Sequence, residues 1–160
     1  DETPRRGELP ADYARRMALE KAEAAAALGA PEGAAILAGD TVVARGRMIF
    51  PKTEAEAEAR QCLGLLSGRR HRVIGGIALH CPNGRIVSKL VTSRVTMKRL
   101  STAETEAYIA TGDWQGKAGG YAIQGPAAAL IRHIEGSYSN IVGFSLYDIA
   151  AMLRGNGLLR

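Results

Sequence analysis

Apolar positions along the chain change their spacing several times, and the first clear pattern is helical. From Pro10 to about Leu28 the sequence is rich in Ala, Arg, Lys and Glu. One face carries apolar side chains at helical spacing: Tyr13, Met17, Ala24 and Leu28. Pro suits the first turn of a helix and Gly29 can end one, so we predict a helix over 10–28. Lys21 lies on the same face, which is typical of a lysine whose stem packs while its ammonium reaches solvent.

Other segments have the composition of β-strands. Apolar runs, many of them β-branched, are bounded by Gly, Pro or Asn. They predict strands at Ala34–Ala44, Met48–Phe50, Val73–Cys81, Ile86–Met97, Tyr121–Ile123 and Ala127–Ile134. Asn83-Gly84 tolerates the positive φ of a tight turn, so the two long central strands form a hairpin.

Ser or Thr followed three residues later by Glu marks two helix starts, at Thr53/Glu56 and Ser101/Glu104. The helices that follow are expected to run to about Leu66 and Thr111, and a closing helix is expected over 145–153. The segments 112–120 and 136–143 are rich in Gly or polar residues and are predicted to be loops.

The order of elements is helix, strand, helix, strands, helix, strands, helix. This order predicts an α/β fold, in which a mixed twisted sheet is flanked by helices. With 160 residues and no repeat or linker, we expect a single domain over 1–160.

The composition excludes several classes of protein. Apolar residues make up 46% and charged residues 23%, as in a globular rather than a disordered chain. No apolar run approaches the roughly 18 residues of a membrane span. Cys62 and Cys81 form no CxxC pair, so a zinc ribbon or redox dithiol is not indicated. Two cysteines without a signal peptide are typical of the reducing cytoplasm.

The charge suits a small anionic ligand. There are 21 basic and 16 acidic residues, a formal net charge of +5. An excess of this size fits a nucleotide. The basic residues are dispersed and aromatics are only 5%, so neither a nucleic acid nor a membrane is an expected partner.

Asp40 is the first candidate for chemistry, because it interrupts an apolar strand. A buried carboxylate is costly unless it is hydrogen-bonded, paired or bound to metal. It could bind a divalent cation or accept a proton, and a structural cap on a turn is the alternative. Lys52 precedes a predicted helix start, where a phosphate contact and a solvated surface lysine are both open.

Two polar segments are weaker candidates. Residues 116–125 hold four glycines and Gln124, which lets backbone approach a ligand, but the spacing is not that of a Walker A or dinucleotide loop. Residues 135–140 offer hydroxyl and amide groups. Both segments could instead be ordinary loops. His71 lies in the basic run 69–72, where it either occupies a solvated turn or meets an anion. No Ser/His/Asp or Cys/His arrangement is present, so covalent catalysis by the protein is not expected.

Taken together, these segments resemble the Maf family of nucleotide pyrophosphatases, once described as septum formation inhibitors. The matches stand in the family's order and cover essentially the whole chain. They are Asp1-Glu2-Thr3, Ala18-Leu19-Glu20-Lys21-Ala22, Gly39-Asp40-Thr41-Val42-Val43, Pro51-Lys52, the segment 66–73, the segment 116–125 and the segment 135–143.

The resemblance implies hydrolysis of a nucleoside triphosphate to the monophosphate and pyrophosphate, with a divalent metal cation, Mg²⁺ or Mn²⁺, as cofactor. It also implies an elongated two-lobed fold, similar to that of inosine triphosphate pyrophosphatases, with a central cleft. Asp40 matches the family's catalytic aspartate, the proton acceptor. The implied site comprises catalytic Asp40, Lys21 and Lys52, substrate-binding Glu2, Thr41 and Gln124, and metal-binding Asp40 and Glu2.

The sequence Tyr121-Ala122-Ile123-Gln124-Gly125 resembles the motif of the family branch that acts on dTTP and UTP. Three alternatives stay open: a broader nucleotide pyrophosphatase, one of the 7-methyl-GTP type, and a non-catalytic nucleotide-binding regulator of cell division. A homodimer is also open.

The chain begins with Asp1 rather than Met. The family opens with a strand and a loop of the type Ser-x-Ser-Pro-Arg-Arg, which these residues do not contain. Thr3-Pro4-Arg5-Arg6 follows the acidic pair and is not assigned that loop's role. We therefore expect an N-terminally truncated member, whose activity without the loop is an open question.

Overall fold

The computed structural model describes residues 2–160. Over those residues the chain forms a five-stranded sheet in the order β2-β1-β3-β4-β5, with helices packed against it. The strands are β1 (Ile36–Arg45), β2 (Met48–Phe50), β3 (Arg70–His80), β4 (Ile86–Met97) and β5 (Ile131–Glu135). The helices are α1 (Pro10–Ala27), α2 (Glu56–Leu66), α3 (Thr102–Ala110), α4 (Tyr138–Val142) and α5 (Leu146–Gly155), with a 3₁₀ helix at Pro126–Leu130.

The α/β class is confirmed, but the expectation of a mixed sheet is wrong for the described residues. Every pairing between neighbouring strands there is antiparallel. After α2, strand β3 runs in the same direction as β2. These two strands are not neighbours, however, because β3 pairs with β1 on the side away from β2.

Helix α1 lies unusually close to the sheet because the facing strand offers a glycine. A methyl group built on Gly76 would lie only 2.1 Å from the carbonyl oxygen of Ala14. Ala14, Ala18 and Ala22 form the buried stripe of the helix and have no exposed surface. Small residues on both elements therefore set the distance between α1 and the sheet.

The other face of the sheet carries the larger core, in which α2, α3 and the loops pack on β1, β3 and β4. Leu63, Leu66, Val73, Met97 and Trp114 are among its buried residues. This face also needs a glycine in β3. A methyl group on Gly75 would lie 2.1 Å from the side-chain oxygen of the fully buried Asn140.

Four local predictions fail. The segment Ala127–Ile134, predicted to be a strand, begins within the 3₁₀ helix Pro126–Leu130, and the strand β5 covers only Ile131–Glu135. Thr53 does not cap α2; it is fully buried, and its hydroxyl donates to the carbonyl of Trp114 over 2.6 Å. The predicted strand at 121–123 is irregular. The predicted loop 136–143 contains α4, whose start is capped by the side chain of Ser137.

Most other boundaries agree with the sequence. Strands β2 and β4 coincide with the predicted ranges, and α3 begins with the predicted capping box at Ser101. Cys62 and Cys81 are buried free thiols. Within residues 2–160, no helix has the length and apolar character needed to cross a bilayer.

Candidate active site

Four of the predicted site residues form a continuous chain of ion pairs. The ammonium of Lys21 lies 2.6 Å from Oδ1 of Asp40 and 3.0 Å from Oε1 of Glu2. The ammonium of Lys52 lies 3.1 Å from Oε2 of Glu2. Two carboxylates and two ammonium groups that are distant in sequence are thus brought into contact.

The close packing of α1 on the sheet brings Lys21 to Asp40. Asp40 lies in the middle of β1, paired with Gly76 of β3, where α1 comes closest. Lys21 is two helical turns after Ala14 and therefore on the same face of α1. Its side chain is one third exposed, whereas that of Asp40 is 9% exposed.

Lys52 is held by the loop that follows α3. Lys52 forms an isolated antiparallel bridge with Ala118. Beside it, the amide of Thr53 donates to the carbonyl of Lys117 over 3.1 Å, and the amide of Gly116 donates to the carbonyl of Thr53 over 2.8 Å. The glycine-rich segment 116–125 is thereby fixed against the end of β2.

Helix α1 also anchors the N-terminal segment that carries Glu2. The hydroxyl of Tyr13 donates to the carbonyl of Glu2 over 2.6 Å. Arg16 donates to the carbonyl of Thr3 over 3.1 Å and pairs with Glu8 at 2.7 Å. Sequence reasoning assigned Tyr13 to the apolar face and missed both positioning contacts, because nothing in the helical pattern indicates where a tyrosine hydroxyl will bond.

The ion pairs change the protonation of the groups involved. Hydrogen bonds from Lys21 and then Lys52 hold the pKa of Glu2 below its usual value. Burial by itself would lower the pKa of Lys21, but the hydrogen bonds to Asp40 and Glu2 outweigh it, and the pKa is raised. Both groups are therefore charged at neutral pH.

Two cavities meet at this cluster. One of about 360 Å³ lies beside the loop 116–125, and one of about 280 Å³ lies beside the N-terminal segment. Asp40, Thr41, Lys52 and Ala118 line both. The larger volume is within the range, roughly 300–1,000 Å³, of small-molecule sites.

The remaining predicted residues, Thr41 and Gln124, line the larger cavity and stand outside the chain of ion pairs. The hydroxyl of Thr41 donates to the carbonyl of Gly143 over 3.3 Å, so its hydrogen is already committed. Gln124 is exposed in the cavity wall. Lys117 also lines this cavity, in the segment that the sequence marked as a candidate ligand loop.

His71 corrects the sequence interpretation, which placed it either in a solvated turn or beside an anion. It is 2% exposed, and its Nε2 lies 2.6 Å from the hydroxyl of Tyr121. Burial lowers the pKa of His71 to about 4, so it is neutral at pH 7 and carries no charge for an anion. Tyr121 lines the larger cavity, so His71 supports the wall of the site from behind.

The donor set fits a magnesium or manganese ion that is shared with a substrate. Within residues 2–160, no group of three or more His, Cys, Asp or Glu side chains is placed to hold a metal. Glu2 and Asp40 supply two carboxylates that converge on one ammonium. Mg²⁺ commonly uses one or two carboxylates together with substrate phosphates and water, so Glu2 and Asp40 are the residues that could hold it.

Known proteins share much of this sequence. The sequence matches the family described as "Maf-like protein" over residues 1–156. A protein of Paramagnetospirillum magneticum named dTTP/UTP pyrophosphatase is 63% identical over 157 residues, which cover 98% of this chain and 82% of the relative. Proteins of the same name from Rhodospirillum rubrum and Novosphingobium aromaticivorans are 56% and 55% identical, and the matches cover 74% and 78% of their lengths.

Proposed function

Because this chain belongs to the Maf-like protein family, we propose that it is a nucleoside triphosphate pyrophosphatase that hydrolyses dTTP and UTP. The products would be the nucleoside monophosphate and pyrophosphate. The observation that carries the proposal is the chain of ion pairs Asp40–Lys21–Glu2–Lys52 where two cavities meet. The substrate comes from the names of the relatives.

In this proposal, a water oxygen attacks the α-phosphorus, the bond to the bridging oxygen of the β-phosphate breaks, and pyrophosphate leaves. The water must lose a proton as the new bond forms, and Asp40 accepts it. Lys21 bonds Oδ1 of Asp40, which leaves Oδ2 for the water. The hydrogen bond from Lys21 also orients the carboxylate before the substrate arrives.

Lys21 and Lys52 counter the charge of the triphosphate. Each ammonium is now paired with Glu2, whose side chain is about half exposed. Phosphate oxygens can share or take over these contacts, because an ammonium has three donors. Fixed positive groups favour a transition state in which negative charge moves onto the leaving pyrophosphate.

A divalent cation would be held by Asp40 and Glu2 in this proposal. When bound, it withdraws negative charge from the phosphate oxygens and makes phosphorus easier to attack. The side chain of Gln124 carries both a hydrogen-bond donor and an acceptor, as needed to bond the edge of a pyrimidine base. Thr41 lines both cavities and would lie between the base and the phosphates of the substrate. All these residues would belong to one domain. The protein would act in the cytoplasm, where the free thiols of Cys62 and Cys81 stay reduced.

A nucleotide panel with Mg²⁺ tests the proposal. The protein is incubated with dTTP, UTP, dCTP, dATP and 7-methyl-GTP, and the products are separated. We expect dTTP and UTP to yield monophosphate and pyrophosphate at the highest kcat/KM. Preference for 7-methyl-GTP would refute the substrate assignment. Nucleotide binding without turnover would instead support a non-catalytic regulator.

A further inference from the structure

Resting on the proposed function, we propose that Phe144 and Val142 form the platform against which the nucleobase of the substrate lies. Val142 is the last residue of α4, and Phe144 lies two residues beyond it. The sequence predicted a polar loop over 136–143, which includes Val142 but not Phe144. Neither residue takes part in the proposed phosphate chemistry. The inference therefore concerns which part of the ligand the larger cavity receives.

Both side chains are large, apolar and exposed inside the cavity. Phe144 is 37% exposed and Val142 is 44% exposed, and both line the cavity of about 360 Å³. Gln124 lines the same cavity and offers an amide. An aromatic face beside a group that both donates and accepts hydrogen bonds is the usual combination for holding a nucleobase.

The ion pairs and the apolar pair make their contacts on opposite faces of strand β1. Successive residues of a strand point to opposite faces. Asp40 contacts Lys21 of α1, whereas its neighbours Gly39 and Thr41 contact Phe144 and Gly143. The ion pairs therefore lie on the α1 face, and the apolar platform lies on the opposite one.

The larger cavity has both a charged wall and an apolar one. Lys21 and Lys52 line it on one side, and Val142 and Phe144, which do not line the smaller cavity, supply the apolar part. Asp40 lines both cavities. A nucleoside triphosphate has one apolar end and one charged end, joined at the α-phosphate, which would lie beside Asp40.

The ring of Phe144 is fixed in place. A methyl group built on Gly39 would lie 2.5 Å from Cε1 of Phe144, so the ring packs directly on the backbone of β1. The amide of Phe144 donates to the carbonyl of Ser139 over 3.0 Å. A ring that is already ordered loses little entropy when a base stacks on it.

Paired ligands test the proposal: dTTP and inorganic tripolyphosphate, which has the charge but no base. In Phe144→Ala, we expect the Kd for dTTP to rise by roughly 5- to 100-fold, the measured range for base–aromatic stacking. The Kd for tripolyphosphate should stay at the wild-type value. Phe144→Tyr keeps the ring and should restore dTTP affinity. Tyr147→Ala is the matched control, because Tyr147 is an aromatic residue of the next helix that is 81% exposed.

Calorimetric binding keeps this test separate from the test of the reaction. An unchanged Kd for dTTP in Phe144→Ala would overturn the platform while leaving the pyrophosphatase intact. An equal loss for dTTP and tripolyphosphate would also overturn it, since the ring would then act only through the packing of β1. If wild-type protein binds tripolyphosphate and dTTP equally well, no base subsite exists, and the platform is refuted whether or not dTTP is hydrolysed.

Discussion

Lys21 is the residue whose role the sequence pattern alone would have assigned wrongly. On the apolar face of a helix, a lysine usually packs its stem and extends into solvent. Here its ammonium lies between the carboxylates of Asp40 and Glu2. Helical spacing shows on which face of the helix a residue lies, but not what packs against that face. Only the family resemblance therefore indicated a site role for Lys21.

Replacing Lys21 by Met should abolish most activity. The change leaves both carboxylates without their shared counter-charge, so we expect kcat for dTTP to fall by roughly 100-fold or more. Lys89→Met is the matched control, because Lys89 also lies 2.6 Å from an aspartate, Asp148, outside both cavities. Steady-state kinetics and thermal denaturation of both variants check this. Equal losses of kcat would mean that Lys21 acts through stability alone.

Tyr13 is a positioning residue for Glu2. Tyr13→Phe removes the hydroxyl that donates to the Glu2 carbonyl, at a cost of about 1 kcal/mol, equivalent to about fivefold. We expect that factor in the KM for dTTP, with kcat nearly unchanged. Tyr138→Phe, on an exposed tyrosine, should behave as wild type. A fall in kcat at constant KM would place Tyr13 in the chemical step instead.

His71 should make the protein sensitive to mild acid. Its pKa of about 4 lies below the value of about 6.5 expected in the unfolded chain, so only the unfolded state takes up a proton between these values. The contribution of neutral, buried His71 to the free energy of unfolding is fully present above pH 6.5 and is lost as the pH falls toward 4. This effect should lower the free energy of unfolding by about 2 kcal/mol between pH 7 and pH 5.

Urea unfolding at the two pH values measures this loss. The double variant His71→Phe/Tyr121→Phe removes the titrating group together with its bonded partner, so no donor is left unpaired. We expect the difference in unfolding free energy between pH 7 and pH 5 to shrink by about 2 kcal/mol in the double variant. An unchanged difference would show that other groups cause the acid sensitivity.

Secondary structure was predictable where local signals decide it. The capping box at Ser101 and the turn at Asn83-Gly84 are local chemistry, and the elements beside them appear as predicted. Thr53 has the same local signal as Ser101, but a distant loop takes its hydroxyl. The segment 121–123 has strand-like composition, yet it is irregular in the structure, and the hydroxyl of its Tyr121 bonds the buried His71 of β3. Tertiary contacts of this kind leave no trace in a short window of sequence.

Gly76 should prove essential to the position of α1. In Gly76→Ala the new methyl group would meet the backbone of Ala14 at 2.1 Å, and backbone cannot rotate away. We expect a loss of roughly 1–3 kcal/mol in unfolding free energy, the usual cost of overpacking. Activity should fall as well, because the shift of α1 carries Lys21 away from Asp40.

Gly64→Ala is the matched control for that variant. Gly64 lies on the exposed side of α2, and a methyl group there meets nothing within 4 Å. Alanine favours a helix over glycine by about 0.5–1 kcal/mol, so this variant should be more stable than wild type. Urea unfolding of the two variants should give changes of opposite sign. Equal stability of both would contradict close packing at Gly76.

Over the whole molecule, the residues named by the family motifs lie together, and their roles in a reaction stay predictions. Family motifs identified Asp40, Lys21, Lys52 and Glu2, and the fold brings these four into contact. The antiparallel order of the strands was missed, because composition cannot show which strand settles beside β1. The net charge of +5 predicts an anionic ligand, and both Lys21 and Lys52 line the larger cavity.

The most direct test of the central claim compares pyrophosphate release from dTTP by wild type, Asp40→Asn and Asp148→Asn. Asp148 is a matched aspartate, nearly buried and paired with a lysine at 2.6 Å. Loss of a general base costs roughly 100- to 10,000-fold, so Asp40→Asn should release pyrophosphate at most at about one hundredth of the wild-type rate. Asp148→Asn should stay near wild type. An Asp40→Asn protein that turns over at the wild-type rate would contradict the account.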